Sequence, residues 1–133
     1  MNGETVRAVF DTPITGIDNN FDVSKAAQID MGMFPPDQAY RGYVSLITVQ
    51  FSSLASNPTT ATIRVCRDPA GDQMIITDTT SNIFTGLTTS TSGTAGFLLN
   101  AHVAVADNDQ LYVFCKLNTG STTIDFVEIT WGR

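Results

Sequence analysis

Two runs near the C-terminus constrain the fold more than any other feature of the chain. Asp107-Asn108-Asp109-Gln110-Leu111-Tyr112-Val113-Phe114-Cys115-Lys116 and Ile124-Asp125-Phe126-Val127-Glu128-Ile129-Thr130-Trp131 are rich in aromatic and β-branched residues, which suit a pleated, half-buried surface. Between them Leu117-Asn118-Thr119-Gly120-Ser121 supplies the Asn and Gly of a turn. The spacing predicts two long strands that pair across that turn and complete a β-sheet. In the second run the apolar side changes, because Ile124 and Phe126 are even whereas Val127, Ile129 and Trp131 are odd. Strand side chains alternate with period two, so the change requires either a β-bulge near Phe126/Val127 or burial on both faces.

The composition extends this β reading to the whole chain. Threonine occurs 19 times, whereas lysine and glutamate, the usual fillers of helical surfaces, occur twice each. At 133 residues the chain fits one domain. The net charge of −6 comes mostly from eleven aspartates, and Arg7, Arg41, Arg64, Arg67 and Arg133 are scattered. A phosphate-tracking protein needs clustered cations, so nucleic acid is not an expected partner. No apolar run reaches the roughly 18 residues that span a bilayer, and Met1-Asn2-Gly3-Glu4 lacks the regions of a signal peptide. A soluble chain made in a cytoplasm, with no membrane partner, is the expectation.

Thr5–Phe10 alternates as a first strand and ends at Asp11-Thr12-Pro13, and a turn-rich arm follows from Gly16 to Asn20. Ala27–Met31 is a short strand candidate. Phe34-Pro35-Pro36-Asp37-Gln38-Ala39-Tyr40-Arg41 is expected to be a loop, because its prolines fix two torsions and remove two donors. Gly42–Phe51 is a long strand, with Tyr43, Ile47, Val49 and Phe51 on one side and Val44 and Leu46 on the other. Thr60–Cys66 and Gln73–Thr77 form a hairpin around Asp68-Pro69-Ala70-Gly71-Asp72. Thr85–Gly96 is nearly all Thr, Ser and Gly and reads as one exposed loop; Phe97–Val105 resumes the apolar pattern. About eight strands without a helical window favour an all-β, two-sheet antiparallel sandwich, most of all a jelly roll. Ile47, Val49, Phe51, Ile63, Val65, Leu111, Val113, Ile124 and Phe126 form its expected core.

Signals of chemistry are sparse. The one histidine, His102, has no G-x-S-x-G elbow to serve. Asp125 and Glu128, three apart on a strand, point to opposite faces unless a bulge intervenes, and glycoside cleavage needs two carboxylates facing one sugar. Oxygen-rich loops at Asp18–Asp22, Asp68–Asp72 and Asp107–Asp109 could offer hard ligands to calcium, yet none matches an EF-hand, and Asp and Asn form such turns unaided. Cys66 and Cys115 fall on different strand sides and are expected to be free thiols. No metal or cofactor is expected. Trp131, Tyr40, Tyr43 and Tyr112 could stack sugars, although core packing is the default for the strand residues.

Thr62–Asp72, Ile75–Thr80 and the closing strands, with a D-x-x-G-D turn and a final apolar strand ending in Trp, resemble small jelly-roll proteins of tailed bacteriophages. The resemblance covers residues 42 to 131 and is strongest to head decoration or knob proteins, and virion fibre tips, of marine phages. It implies a trimeric, non-enzymatic capsid-surface protein, made in the host cytoplasm, whose partners are the major capsid protein and its own copies. It carries over no functional residue. Residues 1–41 are expected to be an N-terminal strand and docking arm before the 42–133 sandwich. Phe34, Pro35, Pro36, Tyr40 and Arg41 are the expected capsid contacts, since aromatics and Arg are enriched in interfaces. Apolar residues on both sides of two strands nominate Val44, Leu46, Val127, Ile129 and Trp131 as the trimer interface. The alternative role is a phage fibre or carbohydrate-binding module that contacts host surface glycans.

Overall fold

Alternation of apolar and polar residues, broken by Gly, Pro, Asn and Asp turns, produces eleven strands among the described residues. The computed structural model describes residues 5–30, 42–85, 91–99, 104–105 and 110–132, the side chains of 5–8, 42–43, 104–105 and 131–132 excepted. In chain order the strands are β1 (Thr5–Phe10), β2 (Ile14–Ile17), β3 (Ala27–Asp30), β4 (Gly42–Ala55), β5 (Thr60–Cys66) and β6 (Met74–Asn82). They continue with β7 (Phe84–Thr85), β8 (Gly93–Leu98), β9 (Ala104–Val105), β10 (Gln110–Leu117) and β11 (Ser121–Gly132). One short 3-10 turn, Val23–Lys25, is capped by Asp22.

The strands form two antiparallel sheets. One is seven-stranded along the path β1-β11-β4-β8-β7, with β2 also on β11 and β9 on β4; the other runs β3-β10-β5-β6. β1 and β2 lie end to end along β11, so they count as one interrupted strand. Setting aside the two-residue β7 and β9 leaves eight strands, and each sheet interleaves strands from early and late in the chain. That is the jelly roll expected from the sequence.

The core between the sheets contains Ile47, Val49, Phe51, Ile63, Val65, Leu111, Val113 and Ile124, all as expected. Phe126 is the exception. On β11 Ile124 pairs with Phe51 and Phe126 with Gln50, so Asp125 is an extra residue, a bulge that turns Phe126 outward and half exposes it. The same bulge brings Val127 and Ile129 back inward. On β4 Leu46 pairs with Thr130 and Val44 with Trp131, so Ser45 is a second bulge. These two insertions explain the changes of apolar side. They also correct the nominated trimer interface: Val44, Val127 and Ile129 are at most 1% exposed inside the monomer's own core. Leu46 does face outward and is half-buried, and the side chain of Trp131 lies outside the described residues.

A second correction concerns the Thr-Ser-Gly stretch. Its last residues form β8, paired with β4, with Gly93 and Ala95 buried. Small residues are required here: a Cβ at Gly93 would lie 2.7 Å from Ile83 Cγ2 and 2.9 Å from the Phe84 carbonyl.

Burial on both faces does occur, but on β10. Leu111, Val113, Cys115 and Leu117 point into the core, and Phe114, on the opposite side, is only 2% exposed. The 68–72 loop roofs it; a Cβ on Gly71 would touch the Phe114 ring at 3.6 Å. Cys66, outward by alternation on β5, is buried too.

Candidate functional site

Two outer sheet faces carry the groups that could meet a partner. On the seven-stranded sheet, strand pairing sets three rows: Phe126, Gln50, Thr94 and Phe84; Val9, Glu128, Thr48 and Gly96; Thr130, Leu46 and Leu98. Leu98 is 78% exposed, Phe84 71% and Val9 53%. Two polar pairs lie on or beside these rows, with Thr94 Oγ1 donating to Gln50 Oε1 at 2.6 Å and Ser52 Oγ to Asp125 Oδ1 at 2.7 Å. The Asp125 bulge therefore puts Asp125 on the same side as Glu128, where unbroken alternation would have separated them.

On the four-stranded sheet the arm from Asp18 to Lys25 delivers Phe21. The Leu117 amide donates to the Asp18 carbonyl at 2.8 Å, and Asn19 Nδ2 donates to the Leu117 carbonyl at 3.1 Å. Over the Phe21 ring lie the Arg64 guanidinium, 4.5 Å from the centroid, and Lys116 Nζ at 4.9 Å. Arg64 also grips Asp78 in a bidentate pair, Nε to Oδ1 at 2.7 Å and Nη2 to Oδ2 at 2.9 Å. Hydrogen bonding from Arg64 holds the Asp78 carboxyl below its ordinary range. Half-exposed Tyr112, its hydroxyl 3.2 Å from Gln110 Oε1, completes this face.

Two of the aspartate loops that could have held calcium, 18–22 and 68–72, use carboxylates to build turns. Asp68 Oδ1 accepts from the Gln73 amide at 2.8 Å and Oδ2 from the Asp72 amide at 3.0 Å, and these bonds lower its pKa. Asp18 accepts from Asn20, and Asp22 from Ser24. Among the described residues no three His, Cys, Asp or Glu side chains gather as a metal site. Both cysteines are free; burial pushes the Cys115 thiol up to about 12 and also raises Cys66.

Of the residues singled out in the sequence, Phe34, Pro35, Pro36, Tyr40, Arg41, His102, Asp107 and Asp109 lie outside the described residues. So do the side chains of Tyr43 and Trp131. Leu98 and Phe21 were missed. Alternation within Phe97-Leu98-Leu99 could have placed Leu98 outward, whereas Phe21, in an Asn-Asp turn, gave no signal.

No protein-family model and no curated protein matches the sequence. Solved structures with a similar strand arrangement include a chain of the cyanophage Pam1 capsid asymmetric unit, 16% identical, TM-score 0.45, over 97% of this chain and 84% of that one. A C-terminal family 6 carbohydrate-binding module of LamC from Zobellia galactanivorans is 13% identical, TM-score 0.43, over 96% and 99%. A family 35 module of Abf62 from Cellvibrio japonicus is 15% identical, TM-score 0.43, over 95% and 92%. At these identities and scores they assign this chain no role.

Proposed function

We propose that this chain is a non-enzymatic structural protein carried on the outside of a phage capsid as a homotrimer, where it contacts the major capsid protein. The observation that supports this reading is the outer face of the seven-stranded sheet. A sandwich requires only its inner faces to be covered, and Leu98, Phe84, Val9 and Leu46 make the opposite face partly apolar. Phe34, Pro35, Pro36, Tyr40 and Arg41 supply the second contact in this reading. Capsids lacking the protein, titrated with the purified chain, provide the test. Wild type should occupy the shell, and Leu98→Asp and the Phe34→Ala/Tyr40→Ala pair should each bind at least tenfold more weakly, about 1.4 kcal/mol. Failure of the wild-type chain to occupy any site would overturn the reading.

A glycan-binding module is the second reading, favoured by the other face, which carries half-exposed Tyr112 with Gln110 and, further along the sheet, Arg64, Asp78 and Lys116. Phe21 is already covered by two cations, so among the described residues of this face Tyr112 is the ring left to stack a sugar. Binding on a glycan array that Tyr112→Ala abolishes, together with no capsid occupancy, would select this reading.

A further inference from the structure

The N-terminal edge of the seven-stranded sheet consists of two strands in line, β1 and β2, both paired with β11. β2 is fixed: Ile17 is 3% exposed in the core, the Asp18 carbonyl accepts from the Leu117 amide, and the Gly16 carbonyl accepts from Lys25 Nζ at 2.9 Å. β1 is laddered to β11 and approaches β3 of the other sheet, and Phe10, its last residue, packs against the core; Val9 beside it is half exposed. Between them Asp11, Thr12 and Pro13 are all exposed and form no registered pair with β11.

The break is matched on the facing strand. Phe10 pairs with Val127 and Ile14 with Ile124, so the unpaired residues of the edge stand opposite the Asp125–Phe126 bulge. The ladder is thus interrupted at one level on both strands, which makes β1 with residues 127–132 a unit separable from β2 with residues 122–124. Because β1 and β2 are collinear along the same neighbour, the joint is not a reversal, and β1 can leave without disturbing β2. Pro13 has a fixed φ and no N–H, so the joint neither zips closed nor nucleates new pairing.

We infer that β1 is exchanged between copies of this chain, each copy's Thr5–Phe10 pairing with residues 127–132 of another. The occupant is specified by the acceptor itself. The vacated edge of β11 takes Thr5–Phe10 in a set register, and a second copy supplies the identical segment. Exchange of an identical element replaces like contacts with like, so the equilibrium follows protein concentration and the joint rather than any new interface. The inference does not rest on the virion reading and is tested on the purified chain alone.

Val9 and Glu128 are register partners, and directly paired residues on antiparallel strands are within disulfide reach. Single variants Val9→Cys and Glu128→Cys are mixed at high concentration, equilibrated, oxidised gently and run on a non-reducing gel. The native thiols Cys66 and Cys115 are buried, which leaves a low background. Exchange predicts an interchain Val9→Cys to Glu128→Cys product at least tenfold above that from Val9→Cys mixed with Thr48→Cys, one strand further across the same face. Equal yields from the two mixtures would mean that the faces merely stack, and self-linkage of Val9→Cys alone would mean edge-to-edge pairing of β1; either result overturns the exchange. So would a mixture that stays unlinked while the double variant closes quantitatively within one chain.

Discussion

At the scale of single residues, Phe114 and Asp68 depend on each other. Phe114 sits on the wrong side of its strand for the main core and is buried because the 68–72 loop lies over it; the loop keeps its shape through the Asp68 carboxylate. Phe114→Ala should cost about 3–5 kcal/mol in a urea titration, the range for a buried Phe. At neutral pH the same variant should let a thiol reagent reach Cys66 faster while Cys115 stays protected. Asp68 has a folded pKa below its ordinary 3.8, so its contribution is present above that value and fades as pH falls through the folded value. Melting temperatures of wild type and Asp68→Asn should therefore differ at pH 6 and converge well below pH 3.8.

At the scale of elements, the bulges decide which residues are core. Deleting Asp125 would restore simple alternation and turn Val127 and Ile129 toward solvent or force the strand to slip. We expect a loss of more than about 4 kcal/mol, or no folding, whereas Asp125→Ala, which keeps the extra residue, should cost little beyond its bond to Ser52. Here the limits of the sequence are physical. β10 and β11 were legible because their apolar content is dense. The Asp125 bulge was foreseeable from the change of side, but Ser45 was not, and so Val44 read as an outer residue. β8 was hidden because its Gly-Thr-Ala-Gly start is dictated by close contact with Ile83 and Phe84 rather than by hydrophobicity. The outer part of β6, Thr-Asp-Thr-Thr-Ser-Asn, was hidden because an edge strand shows water most of its side chains.

For the whole molecule, strand count and turn spacing gave the jelly roll, since a chain of many short strands without helices has few ways to cover its faces. The candidate site was much less legible. An outer face has no periodic signature of its own, and Leu98 is distinguished from a core leucine only by the neighbour that fixes its parity. The trimer within the proposed function is checked by light scattering: a mass near three times 14.3 kDa at tens of micromolar supports it, and a monomer throughout that range refutes it.

The position of β11 has a consequence for synthesis. It lies between β1 and β4, so the larger sheet has a gap beside its longest strand until residue 132 has left the ribosome. Until then β1, β2 and β4 wait with an edge open, and closing pairs so far apart in sequence is intrinsically slow, on the order of milliseconds to seconds for all-β domains. Stalling translation after the β10–β11 turn should thus yield a nascent chain that is protease-sensitive and held by chaperones, while a stall that frees β11 should yield a resistant one.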